Sequence, residues 1–178
     1  MKTTKMSQLA LVMGAVVMAS GAMADTDTAN LTVGAGVVNA CSIGAGTLEF
    51  GESLSAVVSA GSGRLGAQPN INQSSSAISY VCTNGASATI TANMGEHAFG
   101  AVRKMMSGRD LLTYELYTNS GRSVALGSEA GETGSIPVTA NGTVQTTTIY
   151  GQILGADLAR AKKGYYADTV ALSINYTP

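Results

Sequence analysis

Apolar and polar residues alternate with a period of two in block after block of this chain, and an extended strand with one buried face is the element such alternation serves. The last block is the cleanest: Val170, Leu172, Ile174 and Tyr176 alternate with Thr169, Ala171, Ser173 and Asn175. In "SAISYVCTN" Ile78, Tyr80 and Cys82 share one face, and Ser79, Val81 and Thr83 the other. In "ASATITANMG" Ala88, Ile90 and Ala92 alternate with Thr89, Thr91 and Asn93, and the preceding Asn84-Gly85 is a hairpin turn signal. "LLTYELYTNSGR" puts Leu112, Tyr114 and Leu116 on one face of a strand that ends in the turn at Asn119-Ser120-Gly121. "TVQTTTIYGQIL", from Thr143, reads as a long Thr-rich strand, because β-branched residues favour extended backbone.

Earlier in the chain the pattern is less regular. "GAGTLEFGE" suggests a short strand carrying Leu48 and Phe50 on one face. Residues 51–75, rich in Ser, Gly and Asn and holding Pro69, read as a loop with at most one poor strand. "ADLARAKK", Ala156 to Lys163, has no apolar stripe long enough for an independent helix and reads as a turn or a single helical turn. Several short strands separated by Gly, Asn and Ser turns predict an all-β domain, a β-sandwich of immunoglobulin-like type, with a closed barrel as the alternative.

One alternating block stands where a domain has barely begun. In "DTDTANLTVGAGVVNACSI", Leu31, Val33, Ala35 and Val37 alternate with Thr32, Gly34, Gly36 and Val38. This is either the first strand of the chain's own sheet or a strand made for another chain's sheet. What precedes it bears on the choice. Lys2 and Lys5, the apolar run Leu9–Met18 and Ala22-Met23-Ala24 have the order of a basic n-region, a short apolar core and an A-x-A cleavage site. A signal peptide over 1–24 is expected, so the alternating block begins the exported chain.

Composition narrows the function classes. Ten basic and eleven acidic residues give a net charge of −1, which argues against nucleic acid or an anionic membrane as partner, since each needs a basic surface. The 22 glycines and 12% charge suit short strands and tight turns, while 45% hydrophobic residues oppose disorder. Cys41 and Cys82 are the only cysteines, and an even count in an exported chain reads first as a structural disulfide. A metal or nucleophilic role is disfavoured by the lack of close Cys spacing and by the single histidine, His97. His97, in "NMGEHAFG", has the surroundings of a solvated surface loop.

Nothing in the spacing of Glu49, Glu52, Asp110, Glu115 and Asp168 singles out a catalytic pair. "GSGRLG" from Gly61 and the glycines from Gly34 lack the Lys-Ser/Thr and the helix that a phosphate loop requires. An enzyme is therefore the minority reading, and no cofactor or metal is expected.

The order of blocks carries a resemblance. A small-residue cleavage site, an alternating segment, "CSIGAGTLEFG", "ISYVCTNG", "RKMMSGRDLLTYELYTNSGRS" and "TIYGQILGADLARAKKGYYADTVALSINY" together resemble the spore coat protein U family, which includes pilin subunits of archaic chaperone-usher pili. The resemblance implies an incomplete immunoglobulin-like sandwich that lacks its last strand, a feature periodicity alone does not reveal. It implies three partners: a periplasmic chaperone, an outer-membrane usher and neighbouring subunits in a head-to-tail polymer, forming a fimbria on the cell surface that serves adhesion and biofilm formation.

Residues 25–37 become a donor-strand segment ahead of a domain over 38–178. Leu31, Val33, Ala35 and Val37 become the donated side chains, and Val170, Leu172, Ile174 and Tyr176 the chaperone-contacting edge of the acceptor groove. A secreted coat component, or an adhesin module that binds carbohydrate or another surface on the same sandwich, is the alternative. A tip adhesin with two domains would need a longer chain.

Overall fold

The computed structural model of the chain describes residues 26–52, 54 and 70–177. The expected leader 1–24, "GSGRLG" and most of the stretch 51–75 lie outside the described residues. The chain divides into two units, Met1–Ala35 and Gly36–Pro178. Residues 26–35 of the first are exposed and carry no strand.

The second unit holds β1 (Cys41–Ile43), β2 (Ile71–Cys82), β3 (Ala88–Ala92), β4 (Lys104–Ser107), β5 (Asp110–Thr113), β6 (Glu115–Tyr117), β7 (Ile136–Pro137), β8 (Gln145–Ile153), the single turn α1 (Gly155–Leu158) and β9 (Leu172–Tyr176). One sheet has the order β1-β2-β8-β6, a second β7-β3-β9, and β4-β5 is a separate hairpin turning through Gly108 at φ +62°. Every pairing between these strands is antiparallel. Inward side chains of both sheets, among them Ile78, Ala92, Leu116, Ile149 and Ile153, make one core. This is an all-β sandwich. Among the described residues β1 and β9 are outer strands of separate sheets, an open sandwich and not a closed barrel.

Most of the alternation is realised. Along β2, Ser74, Ser76, Ile78, Tyr80 and Cys82 are buried, while Ser75, Ala77 and Ser79 are exposed. Cys41 lies opposite Cys82 in the β1–β2 register, and the two form a disulfide. Closing a loop of 41 residues removes loop-closure entropy from the unfolded chain worth about 4 kcal/mol.

Several expectations are corrected. Leu31–Val38 carry no strand here, so of the two readings of this block a strand of the chain's own sheet is not realised. Leu48 and Phe50 lie in irregular chain rather than a strand, for reasons given below. The loop read through residue 75 gives way to β2 from Ile71, hidden in the sequence because serines occupy its buried face. Asn84-Gly85 does turn the chain, with Gly85 at φ +82°, but β2 and β3 belong to opposite sheets, so the turn is a sandwich corner and not a hairpin. The run 110–117 is split at Tyr114, with β5 paired to β4 and β6 to β8, although Leu112, Tyr114 and Leu116 all remain buried as the alternation requires.

Candidate functional site

The two long sides of the sandwich end differently. On one side the chain after β6 bridges the sheets: Leu126 N donates to Leu116 O at 2.8 Å, and Ala92 N to Gly127 O at 3.0 Å. Arg103, 1% exposed, braces this seam. Its guanidinium donates to Ala92 O (2.9 Å), Leu126 O (3.1 Å) and Asn93 O (3.2 Å), and pairs with Glu115 Oε1 at 2.6 Å. Every one of these acceptors offsets the desolvation of a buried cation.

The other side is bounded by β1 and β9, each the outer strand of its sheet. They meet at one end, where Asn39 Nδ2 donates to Thr177 O at 2.7 Å. Away from that end a groove opens. Beyond Ile43 one further bond, Gly44 N to Ser79 O at 2.8 Å, continues the β1–β2 pairing, and then the chain moves over the inner face of the sheet. Side-chain parity explains the departure. Cys41 and Ile43 are half-buried and Ser42 is exposed, so an unbroken register would turn Leu48 and Phe50 to solvent.

Glycines permit the crossing. A Cβ at Gly46 would fall 2.3 Å from Ile78 Cδ1, and one at Gly151 of β8 would fall 2.7 Å from Phe50 Cζ and 2.8 Å from Leu48 Cδ2. Ser74 Oγ donates to Glu49 O at 2.7 Å, and the Phe50 ring meets Tyr114 edge-on at 6.2 Å.

Between this stretch and the segment entering β9 lies a cavity of about 260 Å³. Ile78, Leu116 and Ile149 of the core line it, with Leu48 and Phe50 on one side and Val170 and Leu172 on the other. Of the four residues expected at the groove edge, Val170 and Leu172 line this cavity. Ile174 packs on the cluster of Cys82, Ala86 and Ala88, and Tyr176, opposite Ala88, is 39% exposed. Of the expected donor residues, Leu31, Val33 and Val37 are 84–87% exposed and Ala35 is exposed.

The groove also has a polar rim. Asp168, its side chain 3% exposed, lines the cavity together with Tyr114. It accepts hydrogen bonds from Tyr114 Oη (2.6 Å), Glu96 N (3.1 Å) and His97 N (3.2 Å), and lies 2.8 Å from His97 Nδ1. Burial first, then the bond to Asp168, pushes the Tyr114 phenol far above its ordinary range, so it stays protonated and donates. The expectation of a solvated loop His97 is thereby corrected: its ring is tied to a buried carboxylate.

The other carboxylates of the sequence reading do not gather. Glu115 pairs with Arg103, Asp110 with Lys162, and Glu52 is exposed. Among the described residues no group of three His, Cys, Asp or Glu side chains could hold a metal ion, and no helix is long and apolar enough to cross a membrane.

The Spore Coat Protein U domain model matches residues 27–173. The chain belongs to the Spore Coat Protein U domain family. No curated protein sequence matches it. Among solved structures, it is similar to a chain of the CsuC–CsuE chaperone–tip adhesion subunit pre-assembly complex from the archaic chaperone-usher Csu pili of Acinetobacter baumannii. The identity is 20%, the TM-score 0.52, and the match covers 78% of this chain. The chain spans 40% of the length of that solved chain. For this Spore Coat Protein U domain the similarity identifies the fold, an immunoglobulin-like sandwich. Among the described residues no strand of the chain lies between the outer strands β1 and β9.

Proposed function

We propose that this chain is a structural subunit of an extracellular pilus, assembled by the chaperone-usher route through donor-strand complementation. The observation that carries the reading is the unfilled side of the sandwich: two outer strands, β1 and β9, border a cavity lined by apolar core residues, with no strand of this chain between them among the described residues. An extended segment that alternates apolar and polar residues fits such a gap, because main-chain hydrogen bonds supply affinity and alternate side chains supply register.

The donor is the stretch from about Thr28 to Val38 of a neighbouring copy, presenting Leu31, Val33, Ala35 and Val37. Desolvating Leu31, Val33 and Val37 gives a gross gain of about 5–9 kcal/mol before hydrogen bonds. A tail that fills the next copy's groove makes a head-to-tail contact that does not close, hence a fibre. Before assembly the groove needs a temporary occupant. The solved complex of similar fold pairs a chaperone with a pilus subunit. A periplasmic chaperone is the corresponding partner here, with an outer-membrane usher exchanging it for the next subunit and the fibre serving adhesion and biofilm formation.

The test is expression of the chain in a periplasm with and without a candidate chaperone, then with residues 25–38 deleted. The reading expects aggregation alone, a soluble 1:1 complex with the chaperone, and a deletion variant that binds chaperone but forms no polymer. A stable monomer from the unaccompanied chain contradicts it.

A further inference from the structure

The β3–β9 ladder ends at the pair Ala92 and Leu172, yet the residues just before β9 are those that border the cavity. With no strand on the groove side, such a stretch has little to keep it extended and is the kind that frays. It is instead held from behind. Asp168 receives Tyr114 Oη, the backbone N–H groups of Glu96 and His97, and faces the His97 ring. Gly95, at φ +88°, allows the approach: a Cβ there would fall 2.0 Å from Asp168 Oδ2. Asn93 adds a second tie, its N–H donating to Ala171 O and its Oδ1 accepting from Ala171 N, both at 2.9 Å. Ala167 exchanges backbone bonds with Met106 at 2.9 and 3.1 Å.

We propose that Asp168 is the positioning residue of the acceptor edge: its buried carboxylate, gathering donors from the loop before Phe99 and from Tyr114, fixes the path of residues 167–171 before any donor arrives. The incoming strand then pairs with an edge already in place, and the ordering cost of that edge is met within the subunit and not at the docking step. The donor half of this statement rests on the reading of the groove given above. The ordering half does not.

The experiment uses the full exported chain with its disulfide intact, released from denaturant at a dilution where it has not yet aggregated, in wild-type, Asp168→Ala, Asp168→Asn and Tyr114→Phe forms. Hydrogen exchange is read at residues 167–171, and a labelled synthetic peptide of residues 28–38 is the donor probe. In Asp168→Ala, exchange at 167–171 rises about 10- to 100-fold relative to β8, the loss expected when a charged acceptor no longer holds several donors. Peptide association slows by a similar factor, while dissociation changes less than about twofold because the bound strand itself orders the edge. Asp168→Asn, which keeps one acceptor oxygen, and Tyr114→Phe, which removes one donor, fall between and cover the case in which the alanine variant does not fold. Unchanged exchange at 167–171 overturns the proposal, and so does a loss that appears only in dissociation. Peptide uptake that fails in the wild-type chain while the exchange result holds overturns the donor reading and leaves the ordering role standing.

Discussion

The two sides of the sandwich are built from the same kind of sequence and come to opposite ends. On the side of β6 and β3, residues 124–127 span from sheet to sheet, and the buried Arg103 satisfies the carbonyls where they join. On the side of β1 and β9 the sheets are tied at one end by Asn39 and Thr177, and away from it lies a cavity with Ile78, Leu116 and Ile149 in its lining and Asp168 and Tyr114 on its rim. Meanwhile Leu31, Val33 and Val37, which alternate with Thr32, Gly34 and Gly36, are exposed. One side is completed within the chain; the other is left open among the described residues, and the proposed function assigns it to the tail of a neighbouring copy. Alternation therefore specifies that a strand is wanted, without specifying whose sheet it joins.

If that contrast holds, damage to the two sides differs in size and kind. The largest loss is expected from Arg103→Ala, which removes the brace of the closed side and leaves three carbonyls without that donor and Glu115 with the Leu116 N–H alone: about 3–5 kcal/mol by urea unfolding of the dilute, refolded chain. A loss below about 1 kcal/mol would mean that the seam does not depend on it. Gly151→Ala is next. Its methyl group would enter the space of Leu48 and Phe50, and an overpacked core costs about 1–3 kcal/mol. The damage should be confined to the open side, with faster hydrogen exchange at residues 46–50 and unchanged exchange at 124–127. The smallest effect on stability is expected at the exposed tail, where Val33→Asp should shift the urea midpoint of the subunit by no more than about 0.5 kcal/mol equivalent.

How much of this the sequence revealed depends on what occupied each face. Blocks with apolar residues on the inward positions, such as Ile78, Tyr80 and Cys82 or Leu112, Tyr114 and Leu116, were readable because burial follows alternation directly. The start of β2 was not, since Ser74 and Ser76 are buried by hydrogen bonding and close packing under Glu49 and Gly46, which hydropathy does not register. The alternation of Leu48 and Phe50 shows them as a pair but not as side chains leaning over Gly151, because the phase change after Ile43 is a matter of chain path.

The polar elements were the least legible. Arg103 and Asp168 acquire their partners across sequence separations of 10–23 and 54–72 residues respectively, and no local motif announces such pairings. The lone histidine was a signal of a kind, though in the loop context it pointed toward solvent. A missing strand is legible only through family resemblance, since periodicity reports the strands a chain has; among the described residues β1 and β9 are the outer strands that would border it.

The most direct test of complementarity between tail and groove compares two charges one residue apart. Val33→Asp puts a carboxylate on the apolar face of the tail, and Thr32→Asp puts the same charge on the opposite face. The measurement is the ladder of head-to-tail oligomers recovered from the cell surface when chaperone and usher are present. The account predicts that Val33→Asp abolishes the ladder while leaving the chaperone-bound subunit intact, and that Thr32→Asp keeps it, because only the former charge must be desolvated in the groove. Equal ladders from the two variants, or normal fibres from Val33→Asp, would contradict it.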